Sequence, residues 1–520
     1  MSTQIIPITL REAPWQHPAD EVLIGKDVLE LVSSSMYVEP MTVYREYVQN
    51  AADAIDEART TGLLPPHESG RVHITIDHAT RTVKLRDNGT GIAHSDFTSR
   101  LTAFGASKKR GRGARGFRGV GRLAGLGYCQ DLFFRSRTPG ETKISELRWD
   151  CRKLKAMLRS ADDHAELREA VAQLVEVRRI APGDAPQHFF EVELRGIVRH
   201  RNDQLLSETA IRDYLAQVAP VPFSEHFPFG NQILEHLGEK VRTGDLEICV
   251  GEDPSPVRRA HGAGLDLGDG NVDPFTEVDL FSVESIDGGH GCLGWVLHHG
   301  YIGALLASSR VRGLRIRSGN IQVGNERLFE DLFPEPRFNS WCVGEIHVVD
   351  PRIVPNGRRD HFEQSVHFDN LLTHLGPIAR DIARRCRTGS IQRKWLRDFD
   401  LRESAIRDKA ATLKQGALGR DGRNRLIDEM RAGIAFLDSV IKKAVLPEDV
   451  TRECARRKEK LERDVTKILQ APVRAAAFSA IPSAKRRVYE QVINLIYECS
   501  ANETNAKLLV EKILARIASS

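Results

Sequence analysis

The chain has 520 residues, 41% of them hydrophobic and 28% charged, a composition expected of a globular protein with two to four domains. Its 75 Lys or Arg against 71 Asp or Glu leave a mild +4, which permits a nucleic-acid partner without arguing for one. No apolar run is long enough to cross a membrane, no secretory leader opens the chain, and the eight cysteines are scattered without a Cys-x-x-Cys pair, so the expectation is a cytoplasmic protein without a zinc site or a disulfide framework.

Residues 44–57 read Tyr-Arg-Glu-Tyr-Val-Gln-Asn-Ala-Ala-Asp-Ala-Ile-Asp-Glu. On a helix, Glu46, Asn50 and Asp53 share one face, with Tyr47, Val48, Ala51, Ala54 and Ile55 packing behind it. The carboxamide oxygen of Asn50 is a hard ligand suited to Mg²⁺. The carboxylate of Glu46 suits the polarisation of a water. Taken alone, the stretch reads equally as a solvated helix face.

Two alternating strands follow at 71–77 and 82–86, and the second runs into Asp87-Asn88-Gly89-Thr90-Gly91-Ile92. A strand-end Asp followed by Gly89 and Gly91 offers a buried acceptor beside backbone that a flat ring approaches closely. Next come Gly105-Ala106-Ser107-Lys108-Lys109 and Gly116-Phe117-Arg118-Gly119-Val120-Gly121, leading into an apolar helix. Such glycines present bare N–H groups and a helix N-terminus to an anion. Between Lys108 and Arg122 there are seven basic residues and no acidic one, which suits a polyphosphate cradle. Each piece alone is an ordinary turn or loop; their order is what is specific.

Strands are expected at Asp131–Arg137, Lys143–Trp149 and Phe189–Leu194, with a helix over 151–178. Between 205 and 375 strands are read at Leu246–Val250, Val278–Val283, Cys292–His298, Val311–Arg317 and Gly344–Val349. Residues 251–274 read as a loop and Glu326–Leu332 as a short helix. From 376 onward the pattern is helical, with stripes such as Leu426, Met430, Ile434, Leu437 and Ile441, and a basic tract from Arg380 to Arg397. No metal-ligand spacing is evident, and His298-His299 read as strand residues.

These motifs resemble the GHKL ATPase superfamily: gyrase, the ninety-kilodalton heat-shock chaperones, histidine kinases and MutL. Glu46–Asp53 matches the first box, Asp87–Gly91 the second, Gly105–Lys109 the lid and Gly116–Gly121 the phosphate loop. The likeness is nearest to the heat-shock-protein-90-like and MORC-like branch, through Leu29–Tyr37 and the 44–58 helix; Gly116-Phe117-Arg118-Gly119 looks more like MutL. Histidine kinases fit worse, because Asp53 in Asn-Ala-Ala-Asp-Ala belongs to the other members.

The resemblance implies an α+β multidomain chain. It would hold an N-terminal GHKL (Bergerat) α/β sandwich over 1–203, an α/β transducer-like middle domain over 204–375 and a helical C-terminal dimerisation or partner region over 376–520. It implies ATP and Mg²⁺ as cofactors and slow ATP hydrolysis. Glu46 would be the base, Asn50 would hold the metal, and Asp87 would accept the adenine amino group. Asp53, Gly89, Gly91, Ser107, Lys108, Gly116, Phe117, Gly119, Val120 and Gly121 would complete the nucleotide site. Val354-Pro355-Asn356-Gly357-Arg358-Arg359-Asp360 is similar to the middle-domain loop that reaches the γ-phosphate, with Asn356 and Arg359 at the matching spacing and Arg358 as the alternative. Where the chaperones carry a Thr that reaches the adenine through water, this chain has Phe190. A lid over about 93–118 would close with ATP and favour a homodimer. The cargo is expected to be a protein client, chaperone-like. A MORC- or MutL-like DNA clamp in prokaryotic repair or anti-phage defence is the alternative, supported by the basic tracts at 108–122, 310–317 and 380–397. A scaffold with little turnover is a third class. The endonuclease motif of MutL is absent from the sequence.

Overall fold

This computed structural model describes residues 25–30, 39–104, 121–159, 166–199, 201–241, 243, 246–268, 271–306, 308–415, 418–443, 445–470, 482–500 and 503–518. The chain packs as two units, one of Met1–His299 with Ala304–Arg380 and one of Gly300–Gly303 with Asp381–Ser520.

In the first unit a single turn, α1 (Val28–Glu30), precedes α2 (Thr42–Thr60). Val43, Tyr44, Tyr47, Val48, Ala51, Ile55 and Ala58 of α2 recur at three- and four-residue spacing, and all are buried. A hairpin follows, β1 (Gly70–Asp77) and β2 (Thr82–Asp87), then α3 (His94–Thr102) and a 3-10 segment at Gly121–Gly127. Next come β3 (Asp131–Arg137), β4 (Ile144–Asp150), α4 (Cys151–Arg159), α5 (Leu167–Leu174), β5 (Val175–Ile180) and β6 (Phe189–Arg195). After α6 (Glu208–Val218) and α7 (Gly230–Leu237), β7 (Leu246–Val250) completes a seven-stranded sheet in the order β5-β4-β3-β6-β2-β1-β7.

One face of this sheet meets α2, α4 and α6 in a continuous apolar core that includes Ile74, Leu85, Phe134, Trp149 and Val192. On β3, β4 and β6, Arg135 bridges the carboxylates of Glu146, Glu191 and Glu193, all three of them buried. The alternation along each strand separates these two sets.

The helix expected over 151–178 stops at Leu174, and Val175-Glu-Val-Arg-Arg-Ile pairs with β4 as the edge strand. Its alternating, partly β-branched sequence favours a pleated conformation over a helical one. The strand at Leu246–Val250 exists, but it runs parallel to β1 in the first sheet. A parallel pairing has no local turn to announce it.

Beyond β7 the stretch 251–274, expected as a loop, contains a small hairpin, β8 (Gly264–Gly268) with β9 (Asn271–Pro274). A second sheet has the order β10-β11-β14-β12-β13. Its strands are β10 (Glu277–Glu284), β11 (His290–His298), β12 (Gly313–Ser318), β13 (Ile321–Val323) and β14 (Val343–Val348). The helix expected at Glu326–Leu332 is only a 3-10 turn at Glu330–Leu332, with another at Pro336–Trp341.

The helical region begins at α8 (Val366–Gln415), ten residues earlier than 376, and continues with α9 (Arg420–Lys442), α10 (Glu448–Gln470), α11 (Ser483–Cys499) and α12 (Glu503–Ala518). Phe399, Ile406, Met430, Leu437, Val440, Cys454 and Leu461 form its core. Val488, Val492 and Leu495 of α11 and Leu508 and Leu509 of α12 are exposed. The architecture is α+β: a mixed-sheet domain at the N-terminal end and a helical region at the C-terminal end.

Candidate functional site

The position of α2 is fixed from both sides. Tyr44 Oη donates to Leu205 O at 2.5 Å, and Tyr47 Oη accepts from Gly125 N at 3.0 Å. Between these anchors Glu46 points at the start of the 3-10 segment, with its side chain 12% exposed. A Cβ on Gly121 would overlap Glu46 Oε2, so the carboxylate lies directly over the glycine backbone. Arg45 Nε lies 3.8 Å from Glu46 Oε1. Asn50 is half-buried and Asp53 is buried one turn further along the same helix.

Asp87 ends β2 with 6% exposure, and its Oδ1 accepts from Gly89 N at 2.9 Å. A Cβ at Gly89 would lie 2.7 Å from Ala54 Cβ, so the second box is pressed against α2. Gly91 has φ +71, and a Cβ there would overlap Arg137 O. Both positions therefore require glycine. Phe190 of β6 stands opposite Asp87 in register and stacks on Phe134 with ring centroids 6.0 Å apart.

A small cavity of about 20 Å³ opens here, lined among others by Tyr47, Asn50, Ala51, Asp87, Arg122 and Phe190. Its wall is largely apolar, with the buried carboxylate of Asp87, the carboxamide of Asn50 and Arg122; the guanidinium of Arg86 turns to Glu191 on the other face of the sheet. Arg122 Nη2 donates to Ala103 O, tying this rim to the end of α3. In chemistry, an acceptor carboxylate set among apolar side chains suits a flat heterocycle with an exocyclic amine. The hard carboxamide oxygen of Asn50 fits a Mg²⁺ ion held mainly by phosphate and water.

The structure thus brings Asn50 and Asp87 to one cavity and sets Glu46 against Gly121 on the same helix. Ser107, Lys108, Gly116, Phe117, Gly119 and Val120 lie outside the described residues, as does most of the Leu29–Tyr37 segment.

The 354–360 loop reaches α2. Arg45 Nη2 donates to Arg358 O at 3.0 Å, one residue from Glu46. Arg359 has φ +56 and is 6% exposed, and its Nη1 donates to Ser318 O at 3.4 Å. Its guanidinium lies in the second sheet's β12–β13 turn, while the side chain of Arg358 is exposed. Asn356 folds its loop: Oδ1 accepts from Asp360 N at 3.2 Å and Nδ2 donates to Asp360 Oδ1 at 2.6 Å. The loop is therefore beside the first box, with Asn356 bonded within the loop and one nitrogen of Arg359 bonded to Ser318 O.

Sequence reasoning did not single out Arg45 or Arg122 as site residues. Their roles depend on carbonyls at 358 and 103, far along the chain, and no local pattern encodes those contacts. It also found no metal-ligand spacing, yet among the described residues Glu277, Asp279 and His298 place ligand atoms within 4.8 Å of one another. His298 is a strand residue as expected. Its Nε2 lies 2.6 Å from Asp279 Oδ2, and Glu277 is its register partner on β10.

Residues 38–176 match the family described as histidine kinase-, DNA gyrase B-, and HSP90-like ATPases. This segment carries α2, the β1–β2 hairpin and every described residue of the two boxes, so the fold and the match agree in likeness to a GHKL-type domain over this part of the chain. Among individual proteins, the chain is 28% identical over 142 residues to the chaperone protein HtpG of Acinetobacter baylyi, covering 24% of this chain and 22% of that one. It is 27% identical over 139 residues to HtpG of Polaromonas naphthalenivorans, with 24% and 22% covered. Against HtpG of Chlorobium phaeovibrioides it is 32% identical over 81 residues, with 15% and 13% covered. The chain therefore spans less than a quarter of the length of these curated relatives, and the similarity lies on the HSP90-like side of the superfamily.

Proposed function

We propose that this protein is a cytoplasmic ATPase that works as a conformational clamp, closing on a protein client as Mg-ATP is bound. The observation that carries the reading is the convergence on α2: Glu46 over Gly121, Asn50 and Asp87 at one cavity, and the 354–360 loop docked through Arg45.

Asp87 accepts the amino group of adenine, and Phe190 and Val192 flank the ring. Asn50 would hold Mg²⁺, which supplies charge neutralisation on the phosphates. Backbone N–H groups at Gly121 and the glycines before it cradle the anion. Glu46 orients the attacking water and takes its proton. A guanidinium of the 354–360 loop, Arg359 or Arg358, stabilises charge on the transferred group. That division is positioning plus electrostatics, as phosphoryl transfer requires. Closure of the 93–118 lid then favours pairing of two such domains into a homodimer.

The second reading is a DNA clamp. Its support is thinner than the sequence suggests, because in one of its three basic tracts the arginines are buried or paired with carboxylates. Arg315 and Arg317 are buried, Arg312 pairs with Glu326, and Arg310 pairs with Asp213. The test compares cargoes in the presence of a non-hydrolysable ATP analogue and Mg²⁺. The chain is expected to suppress aggregation of a denatured test protein by light scattering, and to leave closed-circular DNA free. Analogue-dependent, salt-resistant trapping of the circle with no effect on aggregation would reverse the assignment.

A further inference from the structure

Glu345 of β14 is 1% exposed and is gripped by two arginines. Arg317 Nε donates to Oε1 at 2.8 Å, Arg259 Nη1 donates to Oε2, and His347 Nε2 lies 3.1 Å from Oε2. The rest of each guanidinium reaches outward to main chain. Arg317 donates to Gln217 O at 2.5 Å, Ala219 O at 3.3 Å and Asn320 O at 3.1 Å. Arg259 donates to Val221 O at 3.0 Å and Asn320 Oδ1 at 2.5 Å. One carboxylate thus orients two planar forks that between them bind three carbonyls at the end of α6 and both oxygens of Asn320.

Both ends of this cluster lead to the nucleotide site. On one side α6 packs on α2, and the segment before it accepts Tyr44 Oη at Leu205 O. On the other, Gly319 and Asn320 form a left-handed turn, each with φ +61, between β12 and β13. Ser318, at the start of that turn, accepts from Arg359. Gly324 N, just past β13, donates to Arg359 O at 2.9 Å. Arg45 of α2 closes the circuit by donating to Arg358 O.

A buried ion cluster of this kind is weak evidence for stability, since well-packed apolar residues often serve as well. What apolar residues cannot supply is the fixed direction of five hydrogen bonds to the linker and the turn. We propose that the Arg259–Glu345–Arg317 cluster is a positioning device that holds the 354–360 loop in register with α2, so that a movement at the end of α6 is passed to the loop beside Glu46. The inference rests on the part in turnover assigned to that loop under the proposed function.

The test uses the full chain with Arg259→Met, Arg317→Met and Glu345→Leu combined, which keeps volume and leaves no buried charge alone. The triple variant is expected to melt cooperatively and to bind an ATP analogue with affinity within about twofold of wild type by calorimetry. Its turnover should fall by about 10²-fold, the order of loss that a small misplacement of a catalytic group produces. In a background carrying Arg358→Ala and Arg359→Ala the same triple should cause no further loss, because the residues act as one unit. Turnover close to wild type in a folded triple, or losses that simply multiply, would overturn the inference. If the triple does not fold, Asn320→Gly is read by the same assays; it suits the left-handed turn and removes only the side-chain acceptor of Arg259. A loop variant that itself keeps full turnover removes the loop from the reaction, and with it both readings. An impaired loop variant beside an unimpaired cluster variant removes only the cluster.

Discussion

Glu46 and Gly121 restrain each other: the carboxylate occupies the space where any other residue would put its Cβ. Gly121→Ala should therefore displace Glu46 and cut turnover sharply, and Gly121→Ser should do no better; a colorimetric phosphate-release assay checks both. At the other end of the site, Asp87→Asn keeps the shape of an acceptor-only carboxylate but introduces two donors. Calorimetry should show ATP binding weakened by roughly tenfold or more, in line with the loss of a charge-assisted hydrogen bond. Unchanged affinity would remove Asp87 from the base site. These residues were legible in the sequence because the chemistry is local: Glu46 and Asn50 on one helical face, Asp87 at a strand end before glycines. Arg45, Arg122 and Gly121's closeness to Glu46 were not, because each depends on a partner brought from elsewhere by the fold.

The 354–360 loop separates two neighbouring arginines by environment. Arg359 is buried on Ser318 O with a left-handed backbone, whereas Arg358 is exposed and contributes its carbonyl to Arg45. Arg359→Ala should lower the melting temperature as well as turnover, since it removes a half-buried side chain–backbone hydrogen bond worth about 0.5–1.5 kcal/mol. Arg358→Ala should leave the melting temperature unchanged. If turnover falls only in Arg358→Ala, the exposed guanidinium is the one that meets the phosphate. Scanning calorimetry and phosphate release on the two variants decide this. Among the elements, α2 and the β1–β2 hairpin were legible because helical and alternating periods are strong there. In the sequence the strand Val175–Ile180 continues a helical stripe, and Leu246–Val250 groups with the strands between 205 and 375. Both depend on non-local pairing, to β4 and to β1, which periodicity cannot see.

Across the whole molecule, acid should destabilise the first unit before it affects the carboxylates generally. Burial pushes His261 from 6.5 down to about 3 and His347 down to about 4. Burial alone would raise Glu345, but Arg259 and Arg317 override it and hold that carboxyl well below its usual range. The two imidazoles stay neutral when folded and take up protons near pH 6.5 when unfolded. Their contribution is fully present above pH 6.5 and is lost as pH falls from 6.5 towards 4, at about 1.4 kcal/mol per unit for each. The melting temperature should drop by several degrees between pH 7 and pH 5, and His347→Gln should flatten part of that drop. A melting temperature constant over that range would contradict the burial of these groups as charged-state penalties.

The central claim is that Glu46 performs the chemistry at a site assembled by α2, and Glu46→Ala measures it most directly. Calorimetry with Mg-ATP and single-turnover hydrolysis on the same preparation separate binding from reaction. The account predicts nucleotide affinity within a few-fold of wild type and turnover lower by roughly 10²–10⁴, the contribution typical of a general base. Hydrolysis that persists near the wild-type rate would place the base elsewhere and contradict the account.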